Sequence, residues 1–393
     1  MLDAINVGMS GLLGFSQGLR VIANNTANMN TPGYKATSLQ FTDLFYANLA
    51  LGGQDQRTQL GQGLGTAGTT MDVRQGDLQQ SSNEFDLGLD GDGFFELRDG
   101  EGRTRYTRAG QFEFDADGNF VSRIDKSQVM GQDASGNLVP VTIAGLRAIA
   151  GTATRSVRFT GNLSSTTSDQ TVGSVTVYDA AGTQHTLSVE FVNAGTSDPN
   201  SWQVKLLDGQ AVVGTSKITF SNGAPTTDTA KLTFTYTPSG VAAQDIVLDF
   251  SSDVTSFASG SLSTIAMSSQ DGTGPGQLTK VTFDDTGTLV ATYSNGQTAK
   301  GAQLVLARYS TPDAVQDLGN NLFAEANGIA WERGVAGSGG FGSVKQGELE
   351  SSNVDLSREF SELVIMQRGY QASSQVISTA NDMLQELFQL KGK

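Results

Sequence analysis

The sequence predicts a multidomain α+β protein, mainly β, whose N- and C-terminal helices pair as a coiled-coil-like layer around two nested β-domains of sandwich or barrel type. Three observations predict it. Apolar and small residues recur in steps of three and four near both ends of the chain. Between them, short runs alternate with period two and are separated by turns. The 393 residues include 48 glycines and no cysteine, so many tight turns must be held by packing and not by disulfides.

The first element is a helix over residues 2–28. Leu2, Ile5, Met9, Leu12, Ser16, Leu19, Ala23 and Thr26 form an a/d seam, and only Asp3 and Arg20 carry charge. The last element repeats the pattern over residues 351–390. Its seam is Leu356, Leu363, Met366, Tyr370, Ser373, Ile377, Ala380, Leu384 and Leu387, widened by Val364, Val376, Met383 and Leu390. A helix of that length is a rod on the order of 50 Å long, more than a small β-domain can cover. Its stripe needs a partner, and the N-terminal seam supplies one. Small seam residues (Ser16, Ala23, Ser373, Ala380) would let the two helices approach closely. Gly369 costs ~1 kcal/mol in a helix interior and fits a close contact there. If the ends pair, everything between must leave and return, and the layout is nested.

Composition excludes several function classes. Lys and Arg number 25 against 40 Asp and Glu, a net charge of −15, which speaks against nucleic acid or an anionic membrane as partner. With no cysteine and one histidine, His185, thiolate nucleophiles, zinc–thiolate sites and most catalytic triads are excluded. No catalytic, cofactor or metal residues are assigned, and His185 is read as an ordinary exposed side chain. No run of eighteen apolar residues is present, so no membrane span is expected. The N-terminus lacks a basic leader and a cleavage site, so a cleaved secretory signal is not expected either.

Between the helices the chain divides by character. The helical domain takes residues 1–30 and 351–393. A connector takes 31–70 and 334–350, and a first β-domain takes 71–150 and 274–333. A second β-domain is inserted as 151–273. The connector carries an apolar patch (Phe41, Leu44, Phe45, Tyr46, Leu49) and is otherwise glycine- and glutamine-rich, so it reads as flexible or extended. Its Gly63–Gly68 run matches GxGxxG only formally, because the flanks do not qualify for a dinucleotide site. The run 115–119 lacks the glycine and glutamate that a calcium loop needs and reads as a hairpin turn. In the inserted block, Val175 and Val177, Leu187 to Phe191, Trp202 to Leu206, Ile218 and Phe220, Leu232 to Tyr236 and Ile246 to Phe250 mark six strands. Residues 334–347 read as a glycine-rich linker into the last helix.

Four separated motifs then carry a resemblance. After the first helix, ANNTANMNTPGYK contains Asn24, Asn25, Asn28, Asn30, Pro32, Gly33 and Tyr34. Before and within the last helix, LESSNVDLSREFSELVIMQRGYQASSQVI contains Ser352, Asn353, Val354, Asp355, Gln367, Arg368 and Tyr370. Gly76-Asp77-Leu78 with the run 85–95, and the run 106–112, lie between them. Together these resemble the signatures of the bacterial flagellar rod and hook axial proteins, and the return strands 281–307 resemble the hook branch.

The resemblance implies a non-enzymatic structural subunit that polymerises helically with its own copies. The hook branch implies a curved, flexible tube that acts as a universal joint and passes motor torque to the filament. Implied partners are the distal rod protein, the hook cap protein, the hook–filament junction proteins and the flagellar export apparatus. The implied location is outside the cell, in the hook and basal body. The distal rod protein is the alternative within the family, and the inserted block argues against it. A secreted β-rich adhesin is the alternative outside it, and it would not require heptads at both ends.

Overall fold

The computed structural model describes residues 2–44, 46–50, 57–195, 198 and 200–391. Two long helices end the chain, α1 (Leu2–Ala27) and α2 (Leu356–Lys391), and strands fill the interval. α1 stops where Asn28 closes the last turn onto the Asn24 and Asn25 carbonyls, just before Pro32-Gly33. α2 starts at a cap: Asp355 Oδ1 accepts the backbone N–H of Ser357 at 2.8 Å.

Two compact units divide the chain. The first comprises Met1–Ala144, Thr282–Val290 and Lys300–Lys393, and the second Gly145–Val281 and Ala291–Ala299.

In the first unit, the segment read as a flexible or extended connector is extended, as a strand ladder. β1 (Thr37–Asp43) pairs antiparallel with β4 (Leu64–Met71), and β2 (Tyr46–Ala50) with β3 (Arg57–Gly61). Its threonines and alternating Leu39 and Phe41 suit a pleated ribbon, and a bulge between Leu39 and Phe41 faces the stretch holding Gly68. Those glycines had suggested slack. Phe45, and the side chains of Leu2, Tyr46 and Leu49, lie outside the described residues. The glycine-rich run before α2 is also ordered into strands: Ser343–Gln346 pairs with Leu87–Asp90, and Glu332–Val335 with Thr298–Arg308. Phe341 is buried within it.

The remaining core of this unit is aromatic. Leu87, Phe95, Leu97, Tyr106, Phe112 and Phe120 are buried. Phe95 meets Phe112 edge-on at 5.2 Å, and Tyr106 stacks on Trp331 at 4.1 Å. The 115–119 turn joins Phe112–Phe114 to Phe120–Ser122, with Asp115 accepting from the Asn119 N–H.

The second unit is a β-sandwich. One five-stranded sheet runs from Asp169–Tyr178 through Gln184–Asn193, Ser201–Asp208 and Ala211–Ser221 to Ala224–Pro225. A second five-stranded sheet is built on Ser156–Asn162, Lys231–Tyr236 and Gln244–Asp249. All six strands marked in the sequence point their period-two residues into one core, which includes Val157, Phe159, Trp202, Phe234 and Phe250. His185 is not an ordinary exposed side chain. Its Nε2 lies 2.9 Å from Asp179, and its ring stands edge-on to Tyr236 at 5.6 Å. The His185 hydrogen bond, helped by the Thr183 and Ala181 N–H groups, holds the Asp179 carboxyl below the usual carboxylate range.

Candidate functional site

α1 and α2 lie antiparallel and meet through small residues. A methyl group placed on Gly8 would stand 2.8 Å from Cγ1 of Ile377, and one on Gly11 would stand 2.5 Å from Oγ of Ser373. On Gly18 it would stand 2.9 Å from Sδ of Met366. From the other side, the Phe15 ring covers Gly369 so closely that a methyl there would meet it at 2.5 Å. The helices therefore approach backbone to side chain, as glycine contacts allow.

The seam on α1 is displaced by one residue from the one read in the sequence. Gly8, Gly11, Gly18, Ile22 and Asn25 are buried, while Met9 and Ala23 are exposed and Ile5, Leu12 and Leu19 are half-buried. Apolar periodicity located the Leu/Met stripe, but glycine has no side chain to register in such a pattern. On α2, Leu356, Leu363, Met366, Ile377 and Leu384 are half-buried and Ala380 is buried. The reading fails at Tyr370 and Leu387, which are exposed because Gly369 takes the contact and α2 outruns α1.

The two helices leave large apolar side chains uncovered. Leu13, Ile365, Phe388 and Leu390 are 64%, 63%, 69% and 81% exposed. Val7, Phe360, Val364, Val376 and Met383 add to this surface, and Gln367 and Arg368 lie exposed among them.

At the base of the helix pair the motif residues converge on polar contacts. Asn25 is buried and uses its whole amide. Nδ2 donates to the Thr37 carbonyl at 2.8 Å and to Glu359 Oε1 at 3.0 Å. Oδ1 accepts the Thr37 N–H at 3.0 Å and the Tyr34 hydroxyl at 3.1 Å. Asn24 Nδ2 donates to that hydroxyl at 3.0 Å, and Asn28 Oδ1 accepts from Thr31. The Pro32 carbonyl accepts from Asn321 Nδ2. Gly33 has φ +72°, and its N–H donates to the Glu350 carbonyl at 2.7 Å. Asn353 mirrors Asn25: Oδ1 accepts the Ala36 N–H at 2.7 Å, and Nδ2 donates to the Asp72 and Arg74 carbonyls. The Ser352 hydroxyl accepts the Val354 N–H, Val354 is half-buried, and Asn30 is exposed.

Beneath them lies a buried ionic centre that the motif strings contain but the sequence reading did not single out. Glu350 Oε1 accepts from Lys35 Nζ at 2.6 Å and from the Gly76 N–H at 2.8 Å, while Oε2 accepts from Arg108 Nε. Lys35, Arg108 and Glu350 side chains are 2%, 4% and 1% exposed. Two cations to one anion is balanced by carbonyls: Arg108 donates to those of Leu89, Gly91 and Gly93, and Lys35 to that of Arg74. Burial pushes the Lys35 ammonium below its ordinary range, against the pull of Glu350. Gly76 must lack a side chain, since a methyl group there would lie 2.0 Å from the Ser351 carbonyl oxygen.

This arrangement offers packing surfaces and a joint held by buried polar and ionic contacts. Among the described residues no cluster of His, Asp or Glu is placed to hold a metal ion, and no helix is long and apolar enough to cross a membrane.

Family descriptions match four stretches in order. They are the flagella basal body rod protein (5–35), the flagellar hook protein FlgE/F/G D1 domain (88–145), the flagellar basal body protein FlaE D2 domain (153–273) and the flagellar basal body rod FlgEFG protein C-terminal (345–390). With two helical ends around nested β-units, these define a rod-and-hook protein of the bacterial flagellum. Whole-chain relatives are more specific. The flagellar hook protein FlgE of Salmonella typhimurium is 32% identical over 98% of this chain and 98% of its own length. That of Escherichia coli is 31% identical over 99% and 100%. The crystal structure of the Helicobacter pylori flagellar hook protein FlgE2 matches 70% of this chain and all of that one, with a TM-score of 0.50 at 15% identity, a likeness of fold. The chain belongs to the flagellar hook protein family and is a structural subunit of the hook.

Proposed function

We propose that copies of this chain polymerise helically into a curved, flexible tube, a universal joint that carries torque from the basal-body rod to the filament. The observation that carries this is the uncovered apolar surface of the α1/α2 layer. Phe388 and Leu390 alone, at 69% and 81% exposure, would be costly to leave in water along a helix this long. Copies packed side by side would cover them. Residues 1–30 and 351–393 are then the assembly layer, with the helix seams and the motif residues around Asn25 and Asn353 setting its angle to the β-body. The match of residues 153–273 to a D2 domain supports the hook reading over the straight distal rod.

Partners follow from the family: the distal rod protein at one end, and the hook cap and hook–filament junction proteins at the other. Delivery by the flagellar export apparatus would put the polymer outside the cell. Deleting residues 360–393 tests the reading by electron microscopy of protein concentrated in precipitating salt. The intact chain is expected to form curved tubes and the truncated chain none. Tubes from the truncated chain would remove the helical layer from assembly.

A further inference from the structure

Glu359 is 6% exposed at the joint between α1, β1 and α2. Its Oε1 is held by Asn25, but its buried Oε2 has no hydrogen-bond partner. A buried carboxylate oxygen in that state lacks a donor it is built to receive. The carboxyl lines a cleft of about 230 Å³, wide enough for a side chain to enter.

The cleft contains two arginines, and both are committed elsewhere. Arg74 pairs with Asp72 at 2.5 Å, and Arg358 with Glu362 at 3.0 Å. Asp355 accepts only backbone N–H at the helix cap, so of the four carboxylates lining the cleft two, Asp355 and Glu359, are without a cation. A complementary group exists on the same helical layer. Arg20 is exposed and continues the uncovered stripe of Met9 and Leu13. Among the described residues no carboxylate lies within ion-pair distance of it. It sits five residues from Asn25, about 7.5 Å along the helix axis. Arg368 is also exposed, but lies nine residues from Glu359, about 13 Å away along the axis.

We propose that in the assembled tube Arg20 of a second copy enters this cleft and pairs with Glu359. Each copy would thus complete its neighbour's joint, a charge-assisted contact of the strong kind. This rests on the polymer reading above and names one contact within it.

In the lone chain, burial raises the Glu359 carboxyl above the usual carboxylate range. The charges of Glu362 and Asp355 add to that, and Asn25 and Arg358 oppose it. The other groups that face the carboxyl are Tyr34, which shares Asn25, and the Asp72–Arg74 pair. Pairing with an arginine lowers the same carboxyl, so the contact weakens as pH falls through the raised range.

The test is the critical concentration for assembly of the full chain, read by sedimentation across pH, for wild type, Glu359→Gln, Arg20→Gln, Arg368→Gln and the Glu359→Gln double variants. Each of the first two changes is expected to raise it at least about tenfold at neutral pH, and the two together no further than either alone. Glu359→Gln should also remove the acid-side rise seen in wild type. Circular dichroism of the unassembled Glu359→Gln chain should show helix retained; loss of helix would make Glu359 an internal strut and overturn the contact. Multiplying effects of Arg20→Gln and Glu359→Gln would overturn it, as would coupling to Arg368 instead. If the variants assemble like wild type, this contact fails and the polymer reading stands. If wild type does not assemble, both fail.

Discussion

The helical layer and the inserted sandwich solve opposite problems with similar numbers of apolar residues. The sandwich buries its strand residues in one core, with Val157, Val177, Val204, Ile218 and Phe250 all at 0% exposure. Its internal energetics are complete. The helical layer closes on glycines and a few half-buried side chains while Leu13, Ile365 and Phe388 remain in water. One region covers its apolar residues within the chain; the other leaves them uncovered. The difference teaches that apolar patterning tells which residues want covering, not which copy covers them.

The chain contains its own reporters for separating the two. Of its two tryptophans, Trp331 lies in the aromatic core of the first unit and Trp202 in the sandwich core. Glu350→Ala should have the largest effect, since it leaves Lys35 and Arg108 buried without their anion. A loss of about 3–5 kcal/mol is expected in the unfolding transition seen by Trp331, in a Trp202→Phe background. An equal shift at Trp202, read in a separate Trp331→Phe background, would show that the two units unfold as one. Phe250→Ala reverses the experiment: about 3–5 kcal/mol lost at Trp202 and little at Trp331. Gly11→Leu drives a side chain into Ser373 and should cost the helix pair about 1–3 kcal/mol, followed as helical circular dichroism on heating. Unchanged helix melting would mean that the seam tolerates separation. Leu13→Ser should be nearly silent in the lone chain, within about 0.5 kcal/mol, yet raise the critical concentration for tubes. A large stability loss from that change would show that Leu13 already has its partner inside the chain.

Much of this architecture was legible in the sequence. The six strands of the sandwich were plain because period-two alternation has one interpretation when one face is buried. The α2 seam was legible at Leu363, Met366, Ile377 and Ala380 for the same reason at period 3.5. The α1 seam was misplaced because Gly8, Gly11 and Gly18 make contact by absence, and the eye follows Met9 and Leu12 instead. Glycine misled again in β1 to β4 and in residues 334–347, where turns and bulges within paired strands looked like slack. The ionic centre was not legible at all. Lys35, Arg108 and Glu350 are far apart in the chain, and nothing local says that two of them will be buried against the third.

Asn25 and Glu359 meet across a separation of 334 residues, close to the largest this chain permits. A contact between such distant positions carries a heavy loop-closure term and forms late. A chain synthesised from its N-terminus completes α1 first and α2 last. The helical layer is thus a clasp that only a chain holding both helices can fasten, and a copy cut short of α2 would keep its first helix without a mate.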